Sequence, residues 1–422
     1  MTLDVSGTLS GNVQVPPSKS VAHRMLICAA LADEPCSIAC RSVNRDMEAT
    51  AACLNALGAY ITYTDGRFNV TPIKNINKGK LLDCGESGST LRFLLPVAAA
   101  LGADAIFTGQ GRLPERPLSP LYEEMTAHGI RMSKNGRMPL SCQGILPAGN
   151  YTIDGGVSSQ FISGLLMALP LTGADSTITV TGKLESASYI ELTINALKQF
   201  GIEIQKNANG YSIPGEQRYS IPSAMIAVEG DWSAAAFWLV AGAAGSKSIT
   251  CTGIDYESSA QGDRRIVDVL RSMGANIITG KNNITAIPSG LTAGTFDCAD
   301  IPDLVPIMAV AAAKAQGTTV FNNIKRLRIK ESDRVQSILE LLSGTGICAY
   351  ATENSLTVTG GPAHGMQYDP NGDHRMAMAA TILASVKNVI ITIKDSECTA
   401  KSYPAFFDDF NALGGHAGQN GQ

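Results

Sequence analysis

A cluster of cations leads into an apolar run at Pro16 to Ala32, PPSKSVAHRMLICAALA. Ser18, Lys19, Ser20, His23 and Arg24 fill its first third, and Met25 to Ala32 are apolar on every side. That second pattern predicts a helix buried all round rather than one lying on a surface. Unpaired backbone N–H groups and the positive dipole end meet at the first turn of such a helix. With Lys19, Ser20 and Arg24 around them they make a receptor for an anion. Similar polar starts precede apolar, Ala-rich runs at Ser87, Ser158, Asp231, Asp303 and Asp373.

Each start carries its own chemistry. In GESGSTLRFL, Gly85 to Leu94, Gly88 would let a ligand approach backbone N–H groups closely. The Pro-rich GRLPERPLSPL, Gly111 to Leu121, holds Arg112 and Arg116 and reads either as a stiff surface loop or as an anion clamp. Ser158, Ser159 and Gln160 offer donors suited to phosphate oxygens, or simply a helix cap. Ser186 and Tyr189 in ESASYIEL are ambiguous from spacing alone. Asp303 is either an N-cap or, among so many cations, a general base. In RLRIKESDR, Lys330 and Arg334 share a helical face with Glu331 between them, the pattern of a salt-bridged surface helix or of a charged site. Arg375 and Lys401 add cations near the sixth apolar run. These cations fall at the same end of successive apolar runs, which independent solvated charges have no reason to do.

The elements that must position them repeat. An amphipathic segment ending in Gly, followed by two short strands and a polar turn, recurs with its glycine at Gly58, Gly129, Gly201, Gly274, Gly346 and Gly414. Successive glycines are 68 to 73 residues apart. Each fits the residue just past a helix end, where positive φ is needed. Each of the six units then reads strand, buried helix, strand, amphipathic helix, strand, strand, an α/β pattern of βαβαββ type. Six units and 422 residues predict two domains of three repeats around buried helices. The sixth unit lacks its closing hairpin, and the strand-like N-terminus would supply it. The expected domains are 18–228, and 1–17 with 229–422, with the active site in the cleft between them.

A net charge of −4 disfavours nucleic acid or an anionic membrane as the main partner, while leaving room for a small anionic ligand where cations gather. The ten cysteines form no C-x-x-C pair and the five histidines no H-E-x-x-H, so no metal site is expected. No signal-peptide pattern opens the chain and no apolar run is long enough to span a bilayer, so a cytoplasmic monomer is expected.

Taken together, PSKSVAHR, SGSTLR, ERP, SSQF, IPD, KESDR, DHRMAM and CTAKSYP resemble, in order from about residue 7 to 413, the motif set of the 5-enolpyruvylshikimate-3-phosphate synthase family. The resemblance implies two inside-out α/β domains that close on substrate. It also implies transfer of the enolpyruvyl group of phosphoenolpyruvate to the 5-hydroxyl of shikimate 3-phosphate, by addition and elimination and without a cofactor. Lys19, Ser20 and Arg24 would bind shikimate 3-phosphate, with Lys19 also reaching phosphoenolpyruvate and counted among the catalytic groups. Ser158, Ser159 and Ser186 would hold the 3-phosphate, Gln160 would touch both substrates, and Lys330 the ring hydroxyls. Gly88, Arg116, Arg334, Arg375 and Lys401 would grip phosphoenolpyruvate. Asp303 would bind the 5-hydroxyl and take its proton, and Glu331 would move protons at the methylene.

The chain departs from the common family pattern at Glu86-Ser87-Gly88-Ser89, where many members have Asn-Ala-Gly-Thr, and at Phe93, where many have Pro. Glyphosate, which inhibits the family, binds beside that turn. Arg326 and His23 also replace residues that are frequently Asn. The alternatives are a UDP-N-acetylglucosamine enolpyruvyl transferase, which typically carries a Cys in the 111–121 loop, and a non-catalytic anion-binding scaffold. That loop has no Cys here, and both Asp303 and Glu331 are present.

Overall fold

Among the described residues, twelve α-helices alternate between two kinds along the chain. The computed structural model describes residues 1–221 and 225–419. The odd-numbered helices are α1 (Lys19–Leu31), α3 (Gly88–Ala100), α5 (Ser159–Ala168), α7 (Trp232–Ala244), α9 (Val305–Lys314) and α11 (His374–Lys387). The even-numbered ones are α2 (Arg45–Leu57), α4 (Leu121–Ala127), α6 (Ala187–Gln199), α8 (Ile266–Ser272), α10 (Arg334–Gly344) and α12 (Phe406–Ala412). The odd set is buried all round: every residue of α7 except Ser233 is covered. The even set is amphipathic, as in α2, where Met47, Thr50, Cys53, Leu54 and Leu57 form the inner stripe. Among the described residues no helix is long and apolar enough to cross a membrane.

Among the described residues, six four-stranded sheets flank these helices, all built to one plan. In the first, Met225–Ala227 runs parallel to Cys36–Ala39, which pairs antiparallel with Arg67–Thr71, itself the partner of Tyr60–Thr64. In the sixth sheet the N-terminus takes the place that a local hairpin strand fills in the others. Leu3–Gly7 lies antiparallel between Ile391–Ile393 and Gly415–Gly418. Gly11–Gln14 then pairs parallel with Ile249–Thr252 in the fourth sheet.

The chain forms two compact units, 17–228 on one hand and 1–16 with 229–422 on the other. In the second unit α7, α9 and α11 pack on one another, so that their apolar surfaces make one continuous core. In the first, α3 packs on α1 and closely on α5. Pro96 in α3 has no N–H to give the carbonyl of Arg92, and Gly164 of α5 sits against both. A Cβ at Gly164 would fall 2.3 Å from that carbonyl oxygen.

The six repeat glycines all have positive φ, from +78° to +120°. Their surroundings differ. A Cβ at Gly58 would meet the Asn75 carbonyl oxygen at 2.3 Å, whereas at Gly129 nothing lies within 4 Å. Gly129→Ala is therefore expected to cost about 1 kcal/mol, the strain of a left-handed backbone alone. Gly58→Ala should cost more, because a backbone carbonyl must move as well. The order of their urea-unfolding midpoints checks this.

Candidate active site

In the unit spanning 17–228, the starts of α1, α3 and α5 carry the predicted anion ligands. Lys19 is the first residue of α1, and its Nζ lies 2.9 Å from Oδ2 of Asp46, near the start of α2. Ser20 follows, half-buried. Arg24, one turn further, is 2% exposed. Its guanidinium donates to Ser20 O (2.6 Å), Thr193 Oγ1 (2.8 Å) and Tyr189 O (2.8 Å), and lies 4.8 Å from the Phe93 ring centroid. Burial lowers the Arg24 pKa to about 10, which leaves it charged at neutral pH. None of these hydrogen-bond partners is anionic.

The Gly88 turn is built for close approach. Ser87 caps α3 by accepting from Thr90 N, and Gly88 is the first helical residue. A Cβ there would fall 2.6 Å from Nη1 of Arg92 and 2.9 Å from Nη1 of Arg116, so two guanidinium groups meet over a bare Cα. Arg92 also donates to Gln160 Oε1 at 2.9 Å and to Pro117 O at 3.1 Å. Gln160 in turn donates to Ser89 Oγ at 2.9 Å. At the start of α5, Ser158 Oγ accepts from Gln160 N, and Ser159 is buried. Ser186, buried ahead of α6, holds φ +57°, a left-handed conformation uncommon for a residue with a Cβ. A buried hydroxyl chain, His23 Nδ1 to Thr50 to Thr90 to Ser87, ties α1 and α2 to this turn. Burial lowers the His23 pKa to about 3, so the imidazole is neutral.

In the other unit, the starts of α9, α10 and α11 are joined by charge. Arg334, 1% exposed, donates to three carboxylates at 2.8 Å each: Nη1 to Asp303 Oδ1, Nη2 to Glu331 Oε2 and Nε to Asp373 Oδ2. Arg375 Nη2 donates to Asp303 Oδ2 at 3.0 Å, and Lys330 Nζ lies 3.5 Å from Asp303 Oδ1. Asp373, fully buried, caps α11 and accepts from Ser332 Oγ as well. Lys401 is buried in the Ser396–Lys401 turn packed on α11. Burial alone would raise the Asp303 pKa, but Arg375, Lys330 and Arg334 outweigh it and hold it well below the usual carboxylate range. Burial lowers that of Lys330 to about 8, with Arg326 and Arg334 adding to the effect and Asp303 opposing it.

Asp303, Lys330, Glu331, Arg334 and Arg375 of the second unit thus join one ion-pair network, and the predicted residues of the first gather around its helix starts. Sequence reasoning missed three members. Arg92 lies four residues after Gly88 on the same helix face, a spacing that would have found it. Asp46 looks like an ordinary acidic residue in a helix's first turn, and Asp373 like an ordinary cap.

The family model of EPSP synthase (3-phosphoshikimate 1-carboxyvinyltransferase) matches residues 3–410. The chain belongs to the EPSP synthase family. Relatives named 3-phosphoshikimate 1-carboxyvinyltransferase include those of Clostridium kluyveri, 42% identical over 96% of each chain, and Clostridium botulinum, 41% identical over 97% of this chain and 96% of that one. The fold is also that of a solved EPSP synthase from Acinetobacter baumannii, with a TM-score of 0.82 at 24% identity, covering 99% of this chain and all of that one. The two-unit, six-sheet architecture is therefore the α/β fold of the EPSP synthase family.

Arg334 offers a test of the charge network. Asp373→Asn keeps the cap geometry but removes one of three anions from a guanidinium that cannot reach water. A loss of about 3 kcal/mol is expected, the low end for breaking a buried pair. Urea titration of both proteins measures it.

Proposed function

We propose that the protein transfers the enolpyruvyl group of phosphoenolpyruvate to the 5-hydroxyl of shikimate 3-phosphate, releasing phosphate, as a cytoplasmic monomer. The observation that carries the mechanism is the triple cation embrace of Asp303. With Arg375, Arg334 and Lys330 on it, Asp303 is too weak a base to take a hydroxyl proton. Phosphoenolpyruvate brings a phosphate and a carboxylate, each a better bidentate partner for Arg than one shared oxygen. As Arg375 and Arg334 turn to it, Asp303 loses the charges that hold its pKa down, and its basicity rises where the 5-hydroxyl arrives. Substrate binding thereby arms the base.

The other roles follow from the same chemistry. Lys401, Gly88, Arg116 and Gln160 would hold phosphoenolpyruvate, with Lys19 beside it. Ser20, Arg24, Ser158, Ser159, Ser186 and Lys330 would hold shikimate 3-phosphate. Glu331 would deliver a proton to the methylene carbon in the addition and recover it in the elimination, when phosphate leaves from the tetrahedral intermediate. The guanidinium pair over Gly88 would stabilise the departing charge. Glyphosate is expected to act at this turn, which here carries Glu86 and Ser87.

Asp303→Ala should release phosphate about 1,000-fold more slowly with both substrates present, the scale of a lost general base. Its affinity for shikimate 3-phosphate, read by calorimetry, should stay within about tenfold of the parent's. Near-parental turnover would remove Asp303 from this role. Because the residues proposed for the two substrates come from both units, shikimate 3-phosphate is also expected to draw the units together. A radius of gyration unchanged by ligand in small-angle scattering would count against closure.

A further inference from the structure

The hydroxyl chain behind the Gly88 turn has no part in the chemistry above. Its hub is Thr50, fully buried on the inner stripe of α2. Thr50 Oγ1 lies 2.7 Å from His23 Nδ1 on α1 and 2.7 Å from Thr90 Oγ1 on α3. The Asp46 carbonyl oxygen is a longer contact, at 3.3 Å. Thr90, also fully buried, gives its hydroxyl hydrogen to Ser87 Oγ at 2.8 Å. One alcohol thus joins three helices just beneath the turn that opens α3.

Counting hydrogens gives this chain a direction. A threonine hydroxyl has one hydrogen to donate. Thr90 directs its own to Ser87, so Thr50 is the donor in the Thr50–Thr90 contact. Thr50 then accepts from His23, which assigns the imidazole hydrogen to Nδ1. His23 Nε2 is buried with no hydrogen-bond partner among the described residues, and this tautomer leaves a lone pair there rather than an orphaned N–H. The chain runs from His23 through Thr50 and Thr90 to Ser87, and each bond polarises the next.

The turn held in this way has little slack. A Cβ at Gly88 would fall 2.6 Å from Nη1 of Arg92 and 2.9 Å from Nη1 of Arg116, so a small shift of α3 changes the gap between its backbone and both guanidiniums. The apolar packing of α3 on α5 is non-directional and does not by itself fix that gap. Hydrogen bonds do so more sharply. α5 reaches the first turn of α3 through Gln160 to Ser89, and α2 reaches it through Thr50 to Thr90. Gln160 is assigned to both substrates and must turn to them, whereas the Thr50 bond is buried and stays.

We propose that Thr50 is a positioning residue for phosphoenolpyruvate capture: its hydroxyl, oriented by His23, fixes the first turn of α3 and with it the gap between Gly88 and the Arg92 and Arg116 guanidiniums. This rests on the assignment of Gly88 and Arg116 to phosphoenolpyruvate.

The test compares Thr50→Val, which keeps the branched shape without the hydroxyl, with Thr50→Ser, which keeps the hydroxyl. Thr50→Val is expected to raise KM for phosphoenolpyruvate about tenfold, the scale of one lost hydrogen bond, with kcat within about twofold of the parent's. Calorimetric affinity for shikimate 3-phosphate alone should stay within about twofold, because Arg24 is held independently by Thr193, Tyr189 and Ser20. Thr50→Ser should restore the parental KM. A parental KM in Thr50→Val would overturn the inference. A joint loss of kcat and of affinity for both substrates, the sign of general loosening, would overturn it equally. Should Thr50→Val fail to fold, Thr90→Val removes the same bond from the side of α3 and is read in the same way. An Arg116→Ala variant with parental KM for phosphoenolpyruvate would instead overturn the assignment of this turn to phosphoenolpyruvate, a different failure.

Discussion

One buried guanidinium holds the second unit's site together. Arg334 cannot reach water, and an unpaired charge in that position would cost several kcal/mol. Asp303, Glu331 and Asp373 answer it from three separate places: the turn before α9, the segment before α10 and the cap of α11. Three helix starts that share no local sequence are thereby held in one arrangement. The same bonds, with those from Arg375 and Lys330, hold the Asp303 carboxyl well below the usual carboxylate range, so the interaction that orders the site also sets its charge state.

The first unit handles its buried cation differently. Arg24 is almost as deeply buried as Arg334, but it is met by two carbonyls, a hydroxyl and an aromatic face rather than by carboxylates. Its charge is solvated without being cancelled. The pair of guanidinium groups over Gly88 adds to the positive potential on that side. A protein of net charge −4 can therefore still offer a strongly cationic surface to two anionic substrates. One unit surrounds its most deeply buried cation with neutral dipoles, and the other balances its cations against carboxylates.

Local chemistry made much of this legible in one dimension. A glycine at a helix end needs positive φ wherever it occurs, so six such glycines at near-constant spacing expose six repeats before any coordinates exist. The apolar character of α7 on every side likewise requires burial, and the structure provides it. Lys19, Arg24 and Arg375 were recognisable because a cation at the start of an apolar helix is out of place unless something uses it, and Arg334 because it shares a helical face with Lys330 in the densest charged cluster. Asp46 and Asp373 were not, since an acidic residue near a helix start needs no further explanation than the dipole.

The sequence by itself determined the repeat count, the helix and strand types and the residues that bear charge at the helix starts, because each depends on neighbours within a few positions along the chain. Only the tertiary structure decided which charges meet. Asp303 and Arg375 are 72 residues apart, and so are Lys314 and Val386, one pair forming an ion pair and the other a single amine-to-carbonyl hydrogen bond. The same sequence separation yields different interactions because packing, not spacing, sets distance and desolvation, and those two quantities fix the strength of a charge pair and the pKa of its members. The opening cationic helix start at Lys19 was visible in the chain; the carboxylate of Asp46 waiting beside it was not.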